Sequence, residues 1–164
     1  MDMWTGTGTG MRLHATEELK LPQKRAWAEA TNFGGFEKLL RDRGAHLERS
    51  AEPQPPGLGT RWQGSFEYSG KRREVTAEVT RFEPPHALHL ALTSAGLEGD
   101  LAVTLTEGKG GRTHLDVGLD LAARTMRARI FLQPLKLAHA TLQARFAARL
   151  GKLARAMEKR RPRA

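Results

Sequence analysis

Apolar and polar residues alternate along most of the stretch between residues 12 and 122, the period-two pattern of half-buried strands. Arg12–Leu21 sets Leu13, Ala15, Leu19 and Leu21 on one face. Ala45–Glu52 is a second strand candidate, closed by a proline- and glycine-rich loop over residues 53–59. Arg61–Tyr68 places Trp62, Phe66 and Tyr68 together, and Ser69-Gly70-Lys71 is a hairpin turn. Glu74–Phe82 turns Val75, Ala77 and Val79 inward. Pro84-Pro85 redirects the chain into His86–Thr93, with Leu88, Leu90 and Leu92 inward. Leu97–Thr106 and Thr113–Ala122 follow, with Leu101, Val103 and Leu105, then Leu115, Val117, Leu119 and Leu121, facing in.

Two segments change period. After Pro22, Ala26, Trp27, Ala30 and Phe33 recur at helical steps, with a break expected at Gly34-Gly35 and a second short helix from Phe36 to Arg43. From Arg124 to the end, Leu135, Ala138, Leu142, Phe146, Leu150, Leu153 and Met157 mark one side of a long helix, extended by Ile130 and Phe131. Pro134 is expected to kink it or to mark where its regular part starts. Ala140, Ala144, Ala147, Gly151 and Ala154 form an opposite face, which offers either plain helix-forming alanine or a homodimer contact. The order is strand, two helices, six strands, long helix. Short connections make an antiparallel α+β domain over about residues 11–160, with tails at 1–10 and 161–164.

Charge separates along the same line. From residue 124 onward there are twelve Lys and Arg against one acid; the preceding 123 residues carry fifteen against seventeen. The terminal helix is therefore a strongly basic element on a near-neutral body. It suits an anionic membrane surface or an acidic partner, or is simply a solvated face. No aromatic residue interleaves with these cations after Phe146, so no nucleic-acid partner is expected.

Chemical motifs are sparse. The chain has no cysteine, which removes disulfides and thiolate chemistry. Gly6-Thr7-Gly8-Thr9-Gly10 precedes a strand instead of following one, so it is no dinucleotide fingerprint. His86 and His89 lie three apart on a strand and face opposite ways. His114, Asp116 and Asp120 share a polar strand face. No metal and no cofactor are expected. No signal peptide and no apolar span are evident, and a cytoplasmic location is expected.

The element order, the phrases Gly57-Leu58-Gly59-Thr60-Arg61-Trp62 and Val79-Thr80-Arg81-Phe82-Glu83-Pro84-Pro85, and Leu97-Glu98-Gly99 opening a strand resemble the helix-grip superfamily. That superfamily, also called SRPBCC, holds START lipid-transfer domains, birch-pollen-allergen-like proteins and polyketide cyclases. The resemblance runs from Met11 to about Arg161 and is nearest to the small bacterial members. It implies a curved seven-stranded sheet around the C-terminal helix, with an apolar cavity between them, open near the N-terminal half of that helix. Trp62, Phe66, Tyr68, Leu90, Leu101, Val103 and Leu119 would line it from the sheet, and Phe131, Leu135, His139 and Leu142 from the helix.

Among polar residues in phase with inward apolar ones, Glu17 and Arg49 are expected to pair with each other or with a ligand. Arg73 and His139 are weaker candidates of the same kind. The function expected is binding or transport of a hydrophobic or amphipathic small molecule. The alternative is a cyclase or dehydratase in which His139, Tyr68, Arg49 and Glu17 move protons on a polyketide-like substrate. Convergence of two such groups on one point of the cavity would favour the enzyme.

Overall fold

In the computed structural model, which describes residues 10–51, 53 and 55–160, the alternating stretches become strands with little change of boundary. They are β1 (Gly10–Leu19), β2 (His46–Ala51), β3 (Arg61–Tyr68), β4 (Lys71–Glu83), β5 (Ala87–Ser94), β6 (Leu97–Glu107) and β7 (Thr113–Ala123). Among the described residues they form one curved antiparallel sheet of seven strands in the order β1-β7-β6-β5-β4-β3-β2. Sequential hairpins build six of the strands, and β1 returns to pair with β7. Ser69 and Gly70 both take positive φ in the β3–β4 hairpin, the backbone that matches strand twist in a two-residue turn. The tails predicted at 1–10 and 161–164 lie outside the described residues, except that Gly10 already belongs to β1.

Register across the sheet puts one row of residues on a single face: Arg49 opposite Trp62, Trp62 opposite Ala77, Ala77 opposite Leu92, Leu92 opposite Gly99, and Gly99 opposite Leu121. The helices cover this face. Buried side chains divide into a larger cluster around Leu19, Trp27, Val79, Leu105, Leu150 and Met157, and a smaller one around Met11, Leu13, Ala128 and Leu132. Phe146 packs against both.

Three helical expectations are corrected. The first helical break is at Thr31-Asn32, between α1 (Gln23–Ala30) and α2 (Phe33–Asp42); Gly34-Gly35 lie inside the first turn of α2. Asn32 caps that turn, its Oδ1 accepting from Gly35 N at 3.1 Å, so a capping side chain outweighs two poor helix formers. The C-terminal helix is two helices, α3 (Met126–Leu137) and α4 (His139–Lys159). Pro134 stays within α3, and the break falls four residues later at Ala138.

The small-residue face is turned inward over its second half, while Ala140 and Ala144 stay exposed. Ala154 is fully buried, and Ala147 packs on the main core. Gly151 sits where a Cβ would come within 3.3 Å of Glu17 Oε2. Small side chains let α4 lie close against β1.

Candidate functional site

Helix α2 carries Phe33, Phe36 and Leu40 at steps of three and four, and Glu37 falls inside that apolar stripe. The fold turns the stripe onto the sheet beside Trp62. Trp62 Nε1–H donates to Glu37 Oε2 at 2.7 Å, and Arg49 Nε donates to the same oxygen at 2.8 Å. Glu37 and Trp62 are buried, and the Phe33 ring meets Trp62 edge-on at 5.1 Å. Burial alone would push the Glu37 carboxyl up. The hydrogen bonds from Arg49 and Trp62, with the Arg49 charge, outweigh it and hold the carboxyl below its ordinary value.

This polar cluster closes one side of a cavity of about 490 Å³ between the sheet, α2 and α4. Leu90, Leu101 and Val103 line its sheet wall, and Phe146, Leu153 and Met157 its helical wall. Glu37 and Arg149 are the charged residues on the lining. Leu40 and Arg149 are exposed there, so the opening lies between α2 and the second half of α4. The resemblance implies one cavity open near the N-terminal half of the terminal helix. There the smaller core cluster, where Leu119, Leu135 and Leu142 pack with Leu132, fills the middle of that half, and only a separate groove opens beside the start of α3.

The structure thus brings Trp62, Leu90, Leu101 and Val103 to the cavity, with Arg49 behind them on Glu37. It takes the other candidates elsewhere. Glu17 points to the correct face but at the sheet edge, where Arg155 pairs with it at 3.3 Å. The predicted Glu17–Arg49 pair is therefore replaced by two pairs, Glu17–Arg155 and Arg49–Glu37. His139 Nε2 donates to the Arg12 carbonyl at 2.7 Å, on an exposed surface at the β1 edge of the sheet and outside the cavity. Leu119, Leu135 and Leu142 are packing residues. Phe66, Tyr68 and Phe131 gather at a separate, smaller groove of about 290 Å³ beside the start of α3; Phe66 and Phe131 line it, and Tyr68 meets Phe131 edge-on at 5.8 Å. Leu92 lines both spaces.

On the outer polar face, His14 lies 3.5 Å from Asp116, and Arg12 pairs with Asp120 at 2.5 Å. No group of three His, Cys, Asp or Glu with metal-holding geometry occurs among the described residues. None of their helices is long and apolar enough to cross a membrane.

No protein-family model and no curated protein sequence matches the chain. Solved structures do match, over most of its length. The Zhui aromatase/cyclase from Streptomyces superposes with a TM-score of 0.66 at 14% identity, covering 92% of this chain and 95% of that one. Truncated norcoclaurine synthase from Thalictrum flavum gives 0.64 at 13%, covering 93% and 96%. TTHA0849 from Thermus thermophilus gives 0.63 at 16%, covering 90% and 97%. The chain has the helix-grip fold.

Within this helix-grip frame, the residue that the sequence reading misses is Glu37. A signal for it was present: an acid at the centre of an apolar helical stripe, four residues after Phe33 and three before Leu40. Its two donors come from β2 and β3, and only the folded register sets Arg49 opposite Trp62.

Proposed function

We propose that the protein binds and carries a hydrophobic or amphipathic small molecule in the cavity between the sheet, α2 and α4. The observation that supports this most is the chemistry of the lining: an almost wholly apolar wall with one polar cluster at its side. Apolar burial supplies affinity in such a space, and few polar groups set orientation. The volume of about 490 Å³ lies inside the usual range of roughly 300–1,000 Å³ for small-molecule sites. The fold is consistent with this reading, since norcoclaurine synthase of the same fold has been solved with dopamine and hydroxybenzaldehyde.

The cyclase alternative asks for two or more proton-moving groups that converge on one point of the cavity. Glu37, Arg49 and Trp62 do converge, but on one another: both donors take the same Glu37 oxygen. Tyr68, His139 and Glu17 lie outside the cavity lining. A carrier needs nothing more from its polar groups than this arrangement supplies.

Native mass spectrometry of freshly purified protein, followed by organic extraction, tests the proposal. A stoichiometric apolar or aromatic compound supports carriage. If the protein is empty and also fails to bind the probe N-phenyl-1-naphthylamine, the reading is wrong.

A second surface accompanies the cavity. Met126, Ile130 and Leu137 are 68%, 66% and 90% exposed on one side of α3, with Arg127, Arg129 and Lys136 beside them. An apolar ridge flanked by cations suits the surface of an anionic bilayer. Cosedimentation with phosphatidylglycerol vesicles but not phosphatidylcholine vesicles, lost on Ile130→Ser, is the expected result. A self-association lost on the same substitution, with no vesicle binding, would replace the bilayer with a second copy of the chain.

A further inference from the structure

Among the described residues two arginines, Arg25 and Arg73, have a buried Nε without a hydrogen-bond partner, and Arg73 is the one that stacks on aromatic rings beside a groove. It follows the inward parity of Val75 and Ala77 on β4, so it enters the covered face of the sheet and not the solvent. Its guanidinium carbon lies 4.6 Å from the Phe131 ring centre and 5.9 Å from that of Tyr68. Its Nε is buried and has no hydrogen-bond partner among the described residues. A buried guanidinium donor left without an acceptor is costly, and ring stacking offsets only part of that cost. Such a group is ordinarily matched by a carboxylate. Here no Asp or Glu lines the groove.

The rest of the groove adds positive charge instead of cancelling it. Arg127 lines the same space from the first turn of α3. That turn contains no acid, although the N-terminal end of a helix favours negative charge. The nearby carboxylate of Glu98 is already held by Arg124 at 3.0 Å. The other walls are mostly apolar, from Phe66, Val75, Leu97, Leu121 and Phe131, and the hydroxyls of Thr93 and Ser94 at the rim are taken by Thr76 and the Glu74 carbonyl. Gly99 helps keep the floor open, since a Cβ there would meet Leu121 at 3.1 Å and Leu92 at 3.4 Å.

We infer that this groove is a second binding site, for a small amphipathic anion with an aryl or medium-chain apolar body and one carboxylate. The body lies against Phe66 and Phe131, and the carboxylate accepts from Arg73 and Arg127. Guanidinium groups suit a planar carboxylate, whose two oxygens accept paired N–H donors. The volume of about 290 Å³ sits at the lower end of small-molecule sites, which fits a compact ligand. The site does not depend on the cavity being a carrier site, although the two spaces meet at Leu92.

The test is a site-resolved NMR titration of the full chain with 2-naphthoate, decanoate, the uncharged 2-naphthalenemethanol and inorganic phosphate. Both carboxylates are expected to move the resonances of residues 93–97 and of Phe131. Naphthoate should bind at least about tenfold more tightly than the alcohol, the loss expected when a charge-assisted contact is missing. Arg73→Met and Arg127→Gln should each remove most of that preference, weakening naphthoate binding much more than alcohol binding. Arg127 is exposed, so its variant carries the comparison even if Arg73→Met folds poorly. Equal affinity for naphthoate and the alcohol would overturn the inference. So would phosphate moving the groove as strongly as naphthoate. If naphthoate shifts only cavity residues such as Leu101 and Leu153, the groove site is lost while the cavity reading stands. Groove binding with no uptake of N-phenyl-1-naphthylamine would leave the reverse.

Discussion

The cavity beside α2 and the groove beside α3 each bring an arginine to the covered face of the same sheet, and they treat it in opposite ways. In the cavity wall, Arg49 finds Glu37 at 2.8 Å, and Trp62 donates to the same carboxylate, so charge and hydrogen bonding are answered within the protein. In the groove, Arg73 lies against two aromatic rings while its Nε has no acceptor among the described residues. The difference separates polar groups that hold a wall in place from polar groups that are available to a ligand. A cluster that satisfies itself rigidifies its surroundings. A guanidinium that lines a groove without any carboxylate on its walls leaves room for one brought by a ligand.

Truncating the structural side of this contrast should have the largest effect. Trp62→Ala removes a buried ring from the cavity wall and its edge contact with Phe33. Urea unfolding should show a loss of about 3–5 kcal/mol. Glu37→Ala comes next. It leaves one buried donor, Trp62 Nε1, and one part-buried donor, Arg49 Nε, facing an emptied position, and the expected loss is about 1–3 kcal/mol in the same measurement. Arg73→Met should differ sharply, staying within about 1 kcal/mol of the parent, because a stacking contact is lost while an unsatisfied donor is removed. A loss as large as that of Glu37→Ala would erase the contrast between the two regions.

Acid sharpens it further. The Glu37 carboxyl is held below its ordinary value, so its folded value lies under the unfolded value of about 4.3. The stabilisation it contributes is complete above that unfolded value and is lost as pH falls through the folded one. Glu37→Gln should therefore flatten part of the acid limb of a stability–pH curve. Glu18 and Glu83 are also held low, by Arg112 and Arg81, but they are exposed and unchanged by the substitution, so their share cancels in the difference. An identical acid limb in parent and variant would remove Glu37 from the account. The smallest effect belongs to Glu17→Gln. Its partner Arg155 is about half exposed, and a loss below roughly 1 kcal/mol is expected.

The sheet was legible in the sequence because one of its faces is covered. Alternation in Leu88-Leu90-Leu92 and Leu101-Val103-Leu105 has only one register that buries the apolar set. For the same reason Trp62, Leu90, Leu101 and Val103 could be assigned to the inner face. Parity alone does not say where along that face a residue ends up. Glu17 has inward parity but stands at the sheet edge, against Gly151. Phe66 has inward parity but lies one space away from Trp62, in the groove. Helical positions were less legible. His139, Leu135 and Leu142 depend on a break at Ala138, which sequence signals drew toward Pro134. The cap that keeps Gly34-Gly35 helical rests on one side-chain oxygen of Asn32. Inward parity with Val75 marked Arg73 apart from Arg72 beside it, but the lack of an acceptor at its Nε exists only in the packed structure.

The cavity as a binding site is the central claim, and Leu153→Trp tests it most directly. Leu153 lines the cavity from α4 and lies apart from the Glu37 cluster. Fluorescence titration with N-phenyl-1-naphthylamine should show saturable binding to the parent. The variant should bind at least about tenfold more weakly while keeping its unfolding midpoint within a few degrees. Unchanged probe affinity in a folded variant would contradict the claim.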